Sequence, residues 1–92
     1  MHVLRVEHEV PDFDAWKQTF DTDPLGRKEG GVRRYRVLRP TNDPGYVQID
    51  LEFDSADEAE AFHGKLRGLW GRVDVMRNPT ARVFELVESE DL

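Results

Sequence analysis

The chain has no cysteine in its 92 residues. That excludes a disulfide framework and thiolate chemistry, and it is the composition expected of a cytoplasmic protein. No stretch approaches the ~20 consecutive apolar residues that a bilayer-spanning helix requires. Met1-His2-Val3-Leu4-Arg5 lacks the basic region, long apolar stretch and cleavage site of a signal peptide, so a cytoplasmic location with no membrane partner is expected. Positive charge is scarce: 13 Lys and Arg stand against 19 Asp and Glu, a net charge of −6. Such a balance repels nucleic acid at long range. Histidine is scarcer still, and His2, His8 and His63 are not at metal-ligand spacing, so no metal is expected. There is no internal repeat and no low-complexity tract, and the length suits one domain.

The most regular stretch is Tyr46 to Phe53. Val47, Ile49, Leu51 and Phe53 are apolar; Tyr46, Gln48, Asp50 and Glu52 are polar. Strand side chains alternate between two faces, so this is a half-buried strand. Upstream, His2 to Val10 reads as a strand with Leu4, Val6 and Val10 sharing a face with His2 and His8. Pro11 ends it, and Asp12 is placed to cap a helix carrying Phe13, Trp16 and Phe20 at helical spacing. That stripe fades by Asp23-Pro24, and Gly30-Gly31 marks a turn. Val32 to Arg39 is the next strand. Tyr35 and Val37 face the helices, because the opposite parity would drive Arg34 and Arg36 into the apolar layer. The turn formers from Pro40 to Gly45 then close a hairpin.

Ser55-Ala56-Asp57-Glu58 has the form of a capping box. The helix it opens carries Ala59, Phe62, Leu66, Leu69, Trp70 and Val73 on one stripe, weakened near its end by Gly68 and Gly71. Asn78-Pro79 breaks the chain, and Thr80 to Val87 is the last strand. Both of its faces are partly apolar (Val83 and Val87, or Phe84 and Leu86). Residues 1–88 form the domain and 89–92 an acidic tail expected to fray. The order strand–helix–strand–strand–helix–strand predicts an α+β, ferredoxin-like βαββαβ fold: a four-stranded antiparallel sheet with two helices on one face.

The uncovered face then presents Arg5, Glu7, Arg34 and Arg36 with Tyr46, Gln48, Asp50 and Glu52. Opposite charges on neighbouring strands suggest an ionic network. Arg34 and Arg36 are the foremost candidates for holding an anionic ligand, and pairing with Asp50, Glu52 or Glu7 is the alternative. Tyr46 either donates to a ligand or closes the hairpin. His63 flanks the second helix as a half-exposed residue or a general base at a cavity rim. Trp70 packs in the core or brings its indole N–H beside a cavity. The basic run from Arg27 to Arg39 has no interleaved exposed aromatics and no groove-reading helix, so no nucleic-acid partner is expected.

In the order of its elements the chain resembles the dimeric α/β-barrel superfamily, and within it the antibiotic biosynthesis monooxygenases. The features carrying the likeness are the aromatic helix stripe, the Gly30-Gly31-Val32 entry to the second strand, the hairpin, and the helix opened by Ser55-Ala56-Asp57-Glu58-Ala59. The resemblance implies a homodimer in which two sheets pack open face to open face around a cavity. It implies no cofactor for the oxygenases, and an arginine and a tryptophan lining the cavity, for which Arg34 or Arg36 and Trp70 are the counterparts. No asparagine is placed to join them, since Asn42 and Asn78 are read as turn residues. Two functions remain open. One is a cofactor-independent, monooxygenase-like enzyme or small-molecule binder handling an anionic or aromatic ligand on the polar sheet face. The other is a non-catalytic dimeric module whose polar face, Asp50 included, is a salt-bridged subunit interface.

Overall fold

A computed structural model describes residues 1–71 and 77–92. Its elements run β1 (His2–Glu9), α1 (Phe13–Asp21), β2 (Arg34–Leu38), β3 (Tyr46–Phe53), α2 (Ala56–Trp70) and β4 (Arg77–Glu85). The strands form one sheet in the order β2-β3-β1-β4, with every neighbouring pair antiparallel. This is the ferredoxin-like βαββαβ fold.

Alternation decides which side is buried. Leu4 and Val6 of β1 and Val47, Ile49, Leu51 and Phe53 of β3 pack against Trp16 of α1 and Ala59 and Phe62 of α2. Burying each large apolar side chain contributes roughly 1.5–3 kcal/mol. Both helices start where their capping residues stand. The Asp12 carboxylate accepts the backbone N–H groups of Asp14 and Ala15, and Ser55 Oγ accepts that of Glu58. Each therefore occupies donors that a helix start leaves unpaired.

The bounds of β2 and β4 differ from the sequence expectation. β2 begins at Arg34, not Val32; Val32 turns into the core and is buried, while the Arg33 N–H still reaches the Glu52 carbonyl at 2.8 Å. β4 begins at Arg77, so Asn78 and Pro79 lie inside the strand rather than in a turn before it, and it ends at Glu85 rather than Val87. β4 is an edge strand whose register against β1 shifts between Glu7 and Glu9, and such a place tolerates a residue without an N–H. Val83 packs on the core and Phe84 faces the other way. Residues 86–92 are exposed and without regular structure, although Leu86 N–H donates to the Met1 carbonyl at 3.0 Å. Val73, assigned to the α2 stripe from sequence, lies outside the described residues.

Candidate functional site

The sheet's two faces have different chemistry. On the face away from the helices, antiparallel register sets Arg5 and Arg36 on either side of Asp50, and Arg34 beside Glu52. Arg5 grips Asp50 with two hydrogen bonds, Nε to Oδ1 at 2.9 Å and Nη2 to Oδ2 at 3.2 Å. Arg36 approaches the same carboxylate at 3.6 Å, and Arg34 approaches Glu52 at 3.6 Å. The acids are the buried members: Asp50 is 2% exposed and Glu52 8%. The Asp50 hydrogen bond holds the Arg5 pKa above its ordinary value. Phe84 lies between the Arg5 and Arg82 guanidinium groups, whose central carbons are 5.4 and 5.2 Å from its ring centre. Tyr46 stands at the end of this face. Burial and the carboxylates of Glu7 and Glu9 push its hydroxyl pKa up.

The pocket lies on the opposite side, between the sheet and the helices. It has a volume of about 80 Å³. β1 contributes Val6 and His8, β3 contributes Ile49 and Leu51, and α2 contributes Phe62, Leu66, Leu69 and Trp70. α1 closes the third side with Trp16, Thr19 and Phe20, and the segment after it with Asp23, Pro24, Leu25 and Arg27. The α1 stripe builds an aromatic row. Trp16 stacks with Phe20 at 5.1 Å between centres, Phe20 meets Tyr35 edge-on at 5.2 Å, and His8 lies 5.7 Å from Trp16.

His8 is 1% exposed. Its Nδ1 lies 3.2 Å from the Glu9 carbonyl, which can only accept, so Nδ1 carries the proton in the neutral ring. Burial lowers the His8 pKa, partly offset by that bond, and keeps the ring neutral at physiological pH. Nε2 is therefore a bare acceptor, and it is buried without a partner among the described residues. The Trp70 indole Nε1, a donor only, is also buried and unpartnered. Buried polar atoms are rarely left so.

The sequence candidates thus separate. Arg34, Arg36, Tyr46 and Asp50 belong to the polar face, where the two arginines are engaged by acids; His63 and Trp70 belong to the helix side. Trp70 lines the pocket. His63 does not, and stands edge-on to Trp70 at 6.4 Å. The cavity expected on the polar face is not where the pocket lies: the pocket is across the sheet from Arg34, Arg36, Tyr46 and Asp50. On the polar face the Arg34 and Arg36 side chains approach Glu52 and Asp50 at 3.6 Å while staying 69% and 60% exposed. Sequence reasoning passed over His8 and Arg27. For His8 a signal existed, since it shares its parity with Leu4, Val6 and Val10. Arg27 comes to the pocket through a turn that no periodicity marks. Among the described residues no three His, Cys, Asp or Glu side chains gather to hold a metal, and no helix is long and apolar enough to cross a membrane.

No family model matches the sequence, and no curated protein matches it. Solved structures do match, and they include antibiotic biosynthesis monooxygenase-like proteins of ferredoxin fold. SnoaB, a cofactor-independent oxygenase from Streptomyces nogalater, is 13% identical over 96% of this chain and 94% of its own, with a TM-score of 0.75. The haem degrader MhuD from Mycobacterium tuberculosis, with two haems bound in its active site, is 16% identical over 97% and 99%, with a TM-score of 0.71. A dimeric ferredoxin-like protein from an uncultured marine organism is 16% identical over 97% and 96%, with a TM-score of 0.66. At these identities the likeness is one of fold.

Proposed function

We propose that the chain is a small homodimeric α/β-barrel protein whose helix-side pocket binds a hydroxylated aromatic molecule and acts on it as a cofactor-independent, monooxygenase-like enzyme. The carrying observation is that His8 Nε2 and Trp70 Nε1 are buried without a partner among the described residues, both on side chains lining a largely apolar pocket. Each unmet polar atom costs about 1–3 kcal/mol. An aromatic ring bearing a hydroxyl and a second oxygen satisfies both, with the hydroxyl donating to His8 and the other oxygen accepting from Trp70. His8, neutral and on the pocket wall, is then the base that removes the hydroxyl proton. The resulting oxyanion is electron-rich: a ring carbon adds dioxygen, and loss of water from the hydroperoxide leaves a quinone, so that the ring supplies the electrons, one oxygen atom enters the product and the other leaves as water. The described activity of SnoaB supports this chemistry on this fold.

A single aromatic ring already exceeds a cavity of about 80 Å³, so its entry moves side chains of the wall; a porphyrin, four pyrrole rings wide, would displace far more, and His63 does not line the pocket. No step is assigned to haem here. The dimer is supported by the dimeric marine protein of the same fold and by the exposed Leu38 and Phe84 on the ionic face. The subunit contact and the ligand therefore use opposite sides of the sheet, and a purely structural role leaves the two orphans unexplained.

The test is a fluorescence titration of Trp16 and Trp70 with phenol, paired with oxygen uptake on single-ring aromatic diols. Wild type binds and consumes oxygen. His8→Leu abolishes uptake, and Trp70→Phe weakens binding. Binding without uptake would remove the oxygenase assignment; no binding at all would remove the pocket assignment too.

A further inference from the structure

A second cavity, about 380 Å³, opens beside the start of β2, and Arg27 and Asp23 line both it and the helix-side pocket. Among the described residues Arg27 is the one cation on the wall of the inner pocket. Its guanidinium carbon sits 4.0 Å from the centre of the Phe20 ring and 4.8 Å from that of Tyr35. Nη1 donates to the Phe20 carbonyl at 2.8 Å, and Nε lies 3.6 Å from Asp23 Oδ1. The same Asp23 oxygen accepts the Arg27 backbone N–H at 2.9 Å. Gly26, at φ +67°, makes the turn that returns Arg27 over α1. The side chain is thus held before any ligand arrives, only 17% exposed. Yet Nη2 has no hydrogen-bond partner among the described residues. Beyond it, the outer cavity is lined by Lys28, Arg33 and Arg34; Arg33 is paired with Asp54 at 2.6 Å and Arg34 approaches Glu52 at 3.6 Å, which leaves Lys28 as the cation there with no ion pair among the described residues.

From this we infer that the ligand of the inner pocket is an aromatic carboxylate, and that Arg27 is the residue selecting it. The inference rests on the pocket assignment above. The ring lies between the sheet and the α1 aromatics, its hydroxyl meets His8, and its carboxylate leaves the apolar space at Arg27 towards the outer cavity. A guanidinium held by two rings and a carbonyl discriminates a carboxylate from a hydrogen at the same ring position, because the anion gains a charge-assisted bond in a partly desolvated site. Lys28 at the outer cavity adds a long-range attraction for such anions.

The experiment compares 4-hydroxybenzoate with phenol by isothermal titration, on wild type, Arg27→Met and Arg27→Lys, with circular dichroism confirming that each variant is folded. Wild type is expected to bind the acid about tenfold or more tighter than phenol. Arg27→Met should erase that preference, and Arg27→Lys should restore part of it, as expected for a point charge without the guanidinium fork. A wild type without preference, or a preference that survives in Arg27→Met, overturns the role of Arg27 and leaves the pocket assignment standing. If wild type binds neither compound, both fall.

Discussion

Arg5 and Asp50 meet head-on across β1 and β3, two N–H groups on two carboxylate oxygens, with the acid buried and the base 41% exposed. The acid is the member that the fold has committed. Asp50→Ala removes the partner of Arg5 and the counter-charge of Arg36 at once, leaving two cations that flank the same position of β3 from β1 and β2. The expected loss is about 2 kcal/mol, below the ~3–5 kcal/mol of a fully buried pair because the Arg5 guanidinium still reaches water. Urea denaturation measures it, and a loss no larger than that of an exposed pair, such as the one broken by Arg33→Ala, would contradict the account.

His8 gives stability a pH dependence with a definite sign. Its pKa is lowered in the folded chain from an ordinary value of 6.5. Below that value the unfolded chain takes up a proton that the folded chain refuses. Stability therefore falls as pH drops below about 6.5, and stops falling from this cause once the folded His8 protonates. His8→Leu should flatten the slope in that window. Thermal unfolding at a series of pH values compares the two, and parallel curves would rule out the assignment.

Gly30 lies against Phe62. A Cβ there would stand 2.7 and 2.9 Å from ring carbons of Phe62, a core residue that also lines the pocket. Gly30→Ala should cost about 1–3 kcal/mol through overpacking. It should also weaken phenol binding, since the ring can yield only by moving within the cluster that bounds the cavity. Retained stability with unchanged affinity would show that Phe62 relaxes elsewhere.

The ionic face and the pocket should respond to mutation separately. Phe84→Glu places a charge at an exposed apolar spot on the ionic face, and Arg36→Ala removes one of its cations. Both are expected to shift the dimer towards monomer in sedimentation velocity while phenol titration stays unchanged. Wild type sedimenting as a monomer would end the proposal that this face joins two subunits.

Much of the architecture was legible in the sequence because it is local. Alternation in Tyr46–Phe53 decides the buried face, Asp12 and Ser55 mark the helix starts, and the placement of Tyr35 and Val37 towards the helices follows from the cost of burying Arg34 and Arg36. The β4 boundary was not legible, because Pro79 is tolerated only at an edge and strand order is a long-range property. The site was half legible. Trp70 could be singled out as a donor in need of a partner. His8 could not be ranked above a strand-end residue until α1 was known to cross it with Trp16. Nor could the side of the pocket be read, since it depends on how α1, α2 and the segment after α1 close over the sheet.

Pro79 has one more effect. A nine-residue strand with a free margin invites another extended segment to zip onto it, the first event in fibril growth. A residue with no amide hydrogen interrupts that template, while Arg34 and Arg36 put like charges along the opposite margin. The protein can therefore be concentrated with its margins guarded against runaway stacking, and replacing Pro79 with a β-branched residue removes the guard on one side.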